Sequence, residues 1–375
     1  EVIDNSIDEF VAGHGNCIEI DIDFHSKKVR VRDYGRGIPL EKTVDCVSKM
    51  NTGAKYDSET FQKSVGMNGV GTKAVNALST YFKISSIRDG KIKIAEFSEG
   101  NLTNEEKIKD TEEKNGTCVE FIPDNDPKIF GNYNYLDEYV EKMIWNYAYL
   151  NKGLSLIYNG KKIQSKKGLF DLLNNNLQEN ESLYPIIHLS AGSFEFAFTH
   201  SDKVFTEEHY SFVNGQHTTQ GGTHQSAFRE ALVKVLKDFF KKDYDPSDIR
   251  SGLVASISLR INEPVFESQT KTKLGSTNMM PDGSGQAVRT FILDAVKSTL
   301  DDYLHINSDV AELLLQKIIR NEKERKGMQN VKKLAKESAK KVSLTNRQLR
   351  DCRIHHNSKD PRRLESTLFI TEGDS

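Results

Sequence analysis

A helix-like segment at the start of the chain carries residues that could activate water and hold a metal ion. In EVIDNSIDEF the apolar residues share one helical face, and Glu1 and Asn5, four positions apart, share another. A carboxylate there can orient a water molecule, and an amide oxygen can complete a magnesium shell. Glutamate and asparagine at this spacing are also common on solvated helices, so the pair indicates a site only in combination with other motifs.

A glycine-rich segment, SVGMNGVGTKAVNALS at residues 64–79, is suited to hold a phosphate group. Its glycines let backbone N–H groups approach an anion, and the residues that follow offer a helix N-terminus. It is not a P-loop, because Thr72 precedes Lys73, the reverse of the Walker A order. It is not a dinucleotide fingerprint, because the residues before it are polar and form no buried strand. The segment therefore predicts phosphate binding of another kind.

A third motif, RDYGRGIP, ends the second strand of a predicted hairpin made by CIEIDIDF and KKVRVRDYG. Gly35 and Gly37 force a turn that places Asp33 and Arg36 at its edge. Asp33 could accept a hydrogen bond from an exocyclic amine, or could simply form the turn. Both interpretations of the aspartate and of the glycines stay open from this motif alone.

The element pattern predicts an α+β protein of two or three domains, since 375 residues exceed one ordinary core. A domain boundary is expected near residue 182. The remaining predicted elements are hairpin-like stretches at 82–98 and 116–124, helices at 136–150 and 168–177, strands in 183–213, a helix at 223–241, a strand at 253–261 and helices at 284–304 and 310–342. Because the first residues are already helical without a cap, upstream sequence is expected to be missing.

Composition excludes several function classes. The four cysteines lie far apart without a metal or disulfide spacing, and no apolar run approaches a membrane span, so a cytoplasmic protein with reduced thiols is expected. The net charge of −2 hides sixteen Lys or Arg against five Asp or Glu between Lys317 and Arg363. Residues 310–342, which include much of this stretch, have a helical pattern with one glycine interruption. The charge fits a solvated helix and a surface facing nucleic acid equally well.

Taken in order, EVIDNSIDE, DYGRGIP and VGMNGVGTKAVNALS resemble the three motifs of the Bergerat-fold (GHKL) ATPases, the superfamily of gyrase, heat-shock chaperones, histidine kinases and mismatch-repair ATPases. The resemblance implies a two-layer α/β sandwich whose glycine segment holds the phosphates of ATP. A chaperone or mismatch-repair ATPase, a nucleotide-binding regulator without hydrolysis and a non-enzymatic DNA clamp are alternatives.

Later motifs resemble the type IIA topoisomerases. GGTH at 221–224 and ESQTKTKLGS at 267–276 are similar to a ribosomal-protein-S5-like transducer domain, and LFITEGDS resembles the start of a TOPRIM domain. The implied domains are 1–182 (ATPase), 183–345 (transducer with a long basic helix) and 346–375 (linker and first TOPRIM strand). The overall resemblance is to B-type subunits of bacterial topoisomerase IV, with gyrase B next. Val65 and Asn68 depart from the usual bacterial glycine and histidine.

The resemblance assigns roles residue by residue. Glu1 is the implied general base, Asn5 the ligand of Mg²⁺ bound to ATP, and Lys271 and Gln269 reach the γ-phosphate once the second domain rotates onto the first. Glu372 is an implied TOPRIM magnesium ligand in an incomplete site. The other implied nucleotide-binding residues are Glu9, Asp33, Arg36, Gly37, Pro39, Lys55, Gly66, Met67, Asn68, Gly69, Val70, Gly71, Thr72, Arg88 and Thr117. Among these, Asp33 accepts the adenine amino group, supported by Thr117 through a water, and Arg36 and Arg88 border the pocket where aminocoumarin inhibitors bind.

The implied partners follow from the same resemblance. ATP-driven closure dimerises two copies of the chain into a gate that captures a DNA duplex, and an A-type subunit cleaves DNA in a heterotetramer. The implied reaction is decatenation or relaxation of DNA on the nucleoid in the cytoplasm, or supercoiling if the chain belongs with gyrase; no membrane is involved.

Overall fold

The computed structural model describes residues 1–50, 52, 69–177, 181–268, 270–283, 285–344 and 352–365. Its contacts divide the chain into one unit from Glu1 to Ile318 and a second from Ile319 to Ser375. The predicted three-domain division places its boundaries elsewhere and stays a prediction. No helix in the described ranges is long and apolar enough to cross a membrane.

The first sheet is mixed and has nine strands in the described part of the chain. They are β1 Cys17–Asp23, β2 Lys28–Asp33, β3 Ser79–Arg88, β4 Lys91–Ser98, β5 Asn101–Glu105, β6 Lys109–Asp110, β7 Gly116–Pro123, β8 Ser155–Tyr158 and β9 Lys161–Ile163. The order is β5-β4-β3-β7-β2-β1-β8-β9, with β6 beside β4, and β1 runs parallel to β8 while the other pairs are antiparallel. The stretch at 116–124 resembled a hairpin in sequence but forms the single strand β7, which pairs with both β2 and β3.

Helices cover one face of this sheet. They are α1 Val2–Val11, α2 Thr43–Ser48, α3 Gly71–Ala77 and α4 Asp137–Leu150, with a 3₁₀ turn at Leu40–Lys42. The next helix, α5 Leu169–Asn176, packs against α4 and the second sheet. Alternation along β1 points Ile18, Ile20 and Ile22 into the core beneath α1, α2 and α4, whereas Glu19 and Asp21 on the opposite face pair with Arg30. The predicted two-layer arrangement follows from this alternation.

The second sheet contains β10 Ile187–Ala191, β11 Phe194–His200, β12 Glu207–Val213, β13 Gln216–His217 and β14 Leu253–Leu259, in the order β10-β11-β14-β12-β13. The helices that follow its strands are α6 Thr223–Phe240, α7 Pro246–Arg250 and α8 Val288–Ile306. Phe228 of α6 packs against Phe194 and Phe196 on one face. The other face packs against α5, where Leu172 and Leu173 belong to the same hydrophobic cluster as strand residues of the second sheet. Strand β11 is buried almost throughout because both faces of the sheet are covered.

Two predicted helices differ from the observed ones. Helix α8 begins at Val288 rather than at 284, because Ala287 is extended and bridges to Asn278, and the Gln286 carbonyl accepts from Met279 N–H. Helix α9, Ser308–Leu344, continues through Gly327 where an interruption was predicted. One glycine costs a helix only about 1 kcal/mol, which a helix of this length tolerates. The second unit contains the end of α9 and a 3₁₀ turn at Arg363–Glu365.

Acidification is expected to destabilise the second sheet through two buried histidines. His200 and His224 are fully buried, and burial lowers the pKa of His200 to about 4 and that of His224 to about 3. Because these folded pKa values lie below the unfolded value near 6.5, the unfolded chain binds the proton first, and stability present above pH 6.5 is lost as the pH falls. Between pH 7 and pH 5 each histidine should lower the free energy of unfolding by about 2 kcal/mol.

Urea unfolding at several pH values measures this effect. Between pH 7 and pH 5 the free energy of unfolding of the His224→Leu variant should fall by about 2 kcal/mol less than that of wild type. His305→Gln, which removes an exposed histidine, should show the wild-type fall. The same pH dependence in wild type and His224→Leu would contradict the assignment.

Candidate functional site

One cavity of about 1230 Å³ collects nearly all the described residues that the sequence motifs singled out. Those lining it are Glu1, Asn5, Glu9, Asp33, Arg36, Gly37, Pro39, Gly69, Val70, Gly71, Thr72, Arg88, Thr117 and Lys271. The remaining predicted site residues, Lys55, Gly66, Met67, Asn68, Gln269 and Glu372, lie outside the described residues. Motifs separated by up to 270 positions in sequence therefore meet at one place in the first unit.

Asp33 is a buried acceptor at the end of β2. It lies two residues after Val31, so strand alternation directs its carboxylate to the helix-covered face, and its side chain is only 6% exposed. Its Oδ1 accepts from the backbone N–H groups of Gly35 at 2.9 Å and Thr117 at 3.1 Å, whereas Oδ2 has a 3.5 Å contact with the Ser6 hydroxyl. Burial raises the pKa of Asp33. Two amides thus orient a carboxylate whose second oxygen can accept a ligand N–H.

Glu9 and Arg36 form a bidentate pair across the next turn. The guanidinium donates from Nε to Glu9 Oε2 at 3.1 Å and from Nη2 to Oε1 at 2.9 Å. Burial raises the pKa of Glu9, but the hydrogen bonds and charge of Arg36 outweigh it, so the net pKa lies below its ordinary value. Glu9 is therefore a poor general base, and its role at the cavity is to hold Arg36.

The glycines of this turn are required by close approach. A Cβ at Gly35 would lie 2.8 Å from the Glu9 Cβ, and a Cβ at Gly37, where φ is +76°, would overlap the Ile87 carbonyl oxygen. The Gly37 carbonyl accepts from Arg88 Nη1 at 3.4 Å. At Gly35 and Gly37, glycine is therefore explained by packing within the protein and not by the approach of a ligand, because each added Cβ would meet protein atoms.

The start of α1 touches the start of α3. Asn5 Nδ2 donates to Thr72 Oγ1 at 2.6 Å, and a Cβ at Gly71 would overlap the Glu1 carboxylate. The first amides of α3 have no acceptor within their own helix, since intrahelical bonding begins with Ala74 N–H to Val70 O. A carboxylate, an amide and a row of N–H donors are therefore assembled around one point, which suits an anion and a water molecule.

Lys73 has a different role from a phosphate-binding lysine. Its side chain is buried, and its ammonium donates to the carbonyl oxygens of Thr52, at 2.9 Å, and of Gly69. Burial lowers its pKa. The Lys73 ammonium thus binds the backbone carbonyls of Thr52 and Gly69 and not a phosphate, which agrees with the sequence argument against a P-loop.

Lys271 reaches the cavity from the second sheet's side of the unit. Its Nζ lies 3.6 Å from Glu1 Oε1, and its side chain is 21% exposed. Lys271 thus already borders the site in this structure, and the rotation of the second domain on ATP binding stays a prediction. The reason for the position of the lysine is local anchoring of its loop, which no sequence spacing reveals.

The GGTH motif provides that anchoring. Leu274 N–H donates to Gly221 O at 3.0 Å, Thr223 N–H donates to Leu274 O at 3.1 Å, and a Cβ at Gly222 would overlap the Leu274 backbone. Gly222 also has φ +136°, a conformation that other residues rarely adopt. The motif therefore acts by positioning the segment that carries Lys271.

The structure brings further residues to the cavity that the sequence did not single out. Ser6 approaches Asp33, and Val31, Ile84 and Val119 provide apolar wall. Glu263 and Phe266 line it from the segment before Lys271. Ser6 could have been found from its place beside Asn5 in the first motif, but the others carry no local signal.

No group of three or more His, Cys, Asp or Glu side chains that could hold a metal ion occurs among the described residues. A magnesium site does not need such a group, because Mg²⁺ commonly takes one or two protein oxygens and completes its shell with phosphate and water. The bond to Thr72 fixes the orientation of the Asn5 amide at the cavity. Asn5 therefore fits the part of a single protein ligand to a phosphate-bound ion.

Comparison with known families gives two matches along the chain. Residues 1–127 match the histidine kinase-, DNA gyrase B- and HSP90-like ATPases, and residues 135–334 match DNA gyrase B. Among solved structures, the 43K ATPase domain of Thermus thermophilus gyrase B, in complex with an aminocoumarin, has a TM-score of 0.64 at 25% identity, covering 89% of this chain and 90% of that one. The topoisomerase IV ATP-binding domain of Francisella tularensis, in complex with a small-molecule inhibitor, has a TM-score of 0.62 at 26% identity, covering 87% and 91%.

The similar curated proteins include B subunits of DNA topoisomerase 4 and of DNA gyrase. The B-type subunit of DNA topoisomerase 4 from Borreliella burgdorferi is 45% identical over 375 residues, which is 100% of this chain and 60% of that protein. A DNA gyrase B of Helicobacter pylori is 32% identical over an alignment covering all of this chain and 50% of that protein. The chain thus spans one half to three fifths of the length of these relatives. The predicted resemblance and fold are confirmed: the chain belongs to the DNA gyrase B family, with the GHKL ATPase fold at its N-terminal end.

Proposed function

We propose that this chain binds and hydrolyses ATP as the nucleotide-driven part of a type II DNA topoisomerase. The observation that carries the proposal is the meeting of Glu1, Asn5, Asp33 and Lys271 at one cavity. These are an oriented carboxylate, a metal-ligating amide, a buried acceptor and a cation, which together suit phosphate hydrolysis. Membership of the DNA gyrase B family supports it.

The adenine end of the nucleotide is assigned to Asp33. Its Oδ2 accepts the exocyclic amine, while Val31, Ile84 and Val119 form apolar wall for the ring. Thr117 lies beside the same carboxylate and supports the contact through a water. Arg36 and Arg88, which line the cavity, would border an aminocoumarin of the kind bound to the Thermus thermophilus relative.

The triphosphate end is assigned to the junction of α1 and α3. The N–H groups of the first turn of α3, with Gly69 and Val70 before them, hold the phosphates, and Lys55, Gly66, Met67 and Asn68 contribute from outside the described residues. Asn5 would ligate Mg²⁺, which would supply positive charge to the phosphates. Glu1 takes the proton of the attacking water, and Lys271, with Gln269, stabilises the charge that grows on the γ-phosphate.

Hydrolysis is coupled to DNA by closure of two copies of the chain. In this proposal ATP binding dimerises the chains into a gate, a DNA duplex is captured, and an A-type subunit cleaves the second duplex in a heterotetramer on the nucleoid. The basic stretch from Lys317 to Arg363 provides positive charge for the captured DNA. Glu372, outside the described residues, is assigned to the cleavage centre as a magnesium ligand.

Topoisomerase IV-type activity, decatenation and relaxation, is proposed ahead of gyrase-type supercoiling. The 45% identity to a topoisomerase IV relative exceeds the 32% identity to a gyrase relative. Reconstitution of the full-length protein with an A-type subunit of each enzyme distinguishes the two, because only the gyrase-type complex would introduce negative supercoils.

The ATPase rate with and without duplex DNA tests the proposed function. Wild type should hydrolyse ATP, faster with DNA. Glu1→Gln, which keeps the side-chain shape but removes the base, should lower turnover by about 10²-fold or more while nucleotide affinity is retained. Glu138→Gln, an exposed change of the same type on α4, is the matched control and should leave the rate unaltered. Equal turnover in Glu1→Gln and wild type would reject Glu1 as the base.

Nucleotide affinity tests Asp33. In Asp33→Asn the amide can still accept from Gly35 and Thr117, but its NH₂ group faces the adenine amine. Calorimetry should show ADP binding weakened by about 1 to 3 kcal/mol, with a smaller preference for adenine over guanine nucleotides. Asp21→Asn, on the opposite face of the same sheet, should bind ADP like wild type. Unchanged affinity in Asp33→Asn would remove Asp33 from the adenine site.

A lysine pair in one loop tests the role of Lys271. Lys271→Ala should bind ADP like wild type, because ADP has no γ-phosphate, yet lose most ATP hydrolysis, since a charge-assisted contact of this kind contributes a few kcal/mol. Lys273→Ala, whose partner is Glu267, should retain hydrolysis. Wild-type turnover in Lys271→Ala would make it an ordinary surface lysine.

A further inference from the structure

A second contact joins the first helix to the second sheet, at a residue between the proposed base and the proposed metal ligand. Asp4 Oδ1 accepts from the Tyr147 hydroxyl of α4 at 2.7 Å, and Asp4 Oδ2 accepts from Gln216 Nε2 of β13 at 3.2 Å. The Asp4 carboxylate is only 19% exposed. Three elements are thus joined by one half-buried carboxylate, which we call the Asp4 junction.

The position of Asp4 on α1 makes the junction relevant to chemistry. Glu1 lies one turn before Asp4, and Asn5 follows it directly, so any rotation or shift of α1 about its axis moves all three together. On the α3 side, contact with Gly71 and Thr72 fixes Glu1 and Asn5. The Asp4 junction fixes the same helix turn from the α4 and β13 side.

A rigid hairpin presents Gln216. Asn214 and Gly215 both have positive φ, at +49° and +90°, as a two-residue β-hairpin turn requires. The turn is further fixed by the Asn214 side chain, which accepts from Ile261 N–H at 2.9 Å and donates to Ile261 O at 2.8 Å. Gln216 follows the turn directly and has little freedom to move away from α1.

The segment that begins with Gln216 also ends at the Lys271 loop. Thr218 N–H donates to Ser211 O at 2.8 Å, Gln220 N–H donates to Thr272 O at 2.9 Å, and Gly221 to Thr223 anchor Leu274. Residues 216–223 therefore contact the turn that bears Glu1 at one end and the loop that bears Lys271 at the other. A displacement at either end is carried to the other through a short, hydrogen-bonded stretch of backbone.

We propose that Asp4, Tyr147 and Gln216 are positioning residues that hold Glu1 and Asn5 in register with Lys271, so that the second sheet controls the hydrolytic step through α1 as well as through its lysine. The inference rests on the proposed ATPase function. It assigns no contact with ATP to the junction, so it affects turnover more than nucleotide binding.

An exchange of acid and amide across the junction tests this role in the intact chain. Gln216→Glu places two carboxylates together, which pushes α1 from β13; turnover should fall about 10-fold, because a small misplacement of a reacting group is costly, while the dissociation constant for ADP should change by less than about 2-fold. Adding Asp4→Asn restores one acid and one amide, and the asparagine can donate to the introduced glutamate and accept from Tyr147. The double variant should recover turnover to within about 3-fold of wild type.

Controls separate positioning from general damage. Gln164→Glu, an exposed change of the same type, should alter neither the turnover nor the dissociation constant for ADP. Hydrogen exchange of the backbone amides of residues 2–11 should accelerate in Gln216→Glu and return to the wild-type rate in the double variant. Tyr147→Phe, which removes one hydroxyl and keeps the ring, should lower turnover with ADP affinity retained.

Two results would overturn the inference: wild-type turnover in Gln216→Glu, or a double variant as slow as the single one with exchange still accelerated. If wild type itself hydrolyses no ATP, the proposed function fails. Hydrogen exchange then still decides whether the junction holds α1, because that readout needs no activity.

Discussion

The site depends on how closely the first turn of α1 approaches the first turn of α3. Glycine at position 71 leaves space for the Glu1 carboxylate, and the 2.6 Å bond from Asn5 to Thr72 fixes the distance between the two helices. A larger residue at 71 would push the carboxylate away from the N–H donors of the first α3 turn. The glycine serves the packing of two helix ends, and ligand binding follows from that packing.

Asp33, Glu9 and Glu1 line the same cavity in three different electrostatic environments. Asp33 is buried among apolar residues and oriented by two amides, which leaves one oxygen as an acceptor. Glu9 is engaged on both oxygens by Arg36, which holds its pKa low and removes it from proton transfer. Glu1 remains more open, at 43% side-chain exposure, beside the lysine that approaches from the second sheet. Glu1, Glu9 and Asp33, three of the acids that line the cavity, are thereby suited to different tasks.

The sequence predicted most of the local structure and the membership of the site, because both depend on short-range patterns. Alternation in β1 and β2, the turn glycines and the three motifs identified the sheet, its covered face and the lining residues. It could not predict that Lys271 already lies 3.6 Å from Glu1 or that Asp4 bonds to Gln216. Those contacts link residues more than 200 positions apart, and their distance depends on how the Leu274 backbone and the Asn214 turn are anchored.

Helix α5 illustrates a consequence of packing for thermodynamic coupling. Leu172 and Leu173 pack against strands of the second sheet, and the same buried cluster contains Tyr149 of α4, the helix that covers the first sheet. Separating the two sheets would expose this apolar surface to water, so their unfolding is expected to be cooperative. Any molecule that binds the native form of the cavity must then protect the second sheet from heat as well, by mass action alone and without touching it.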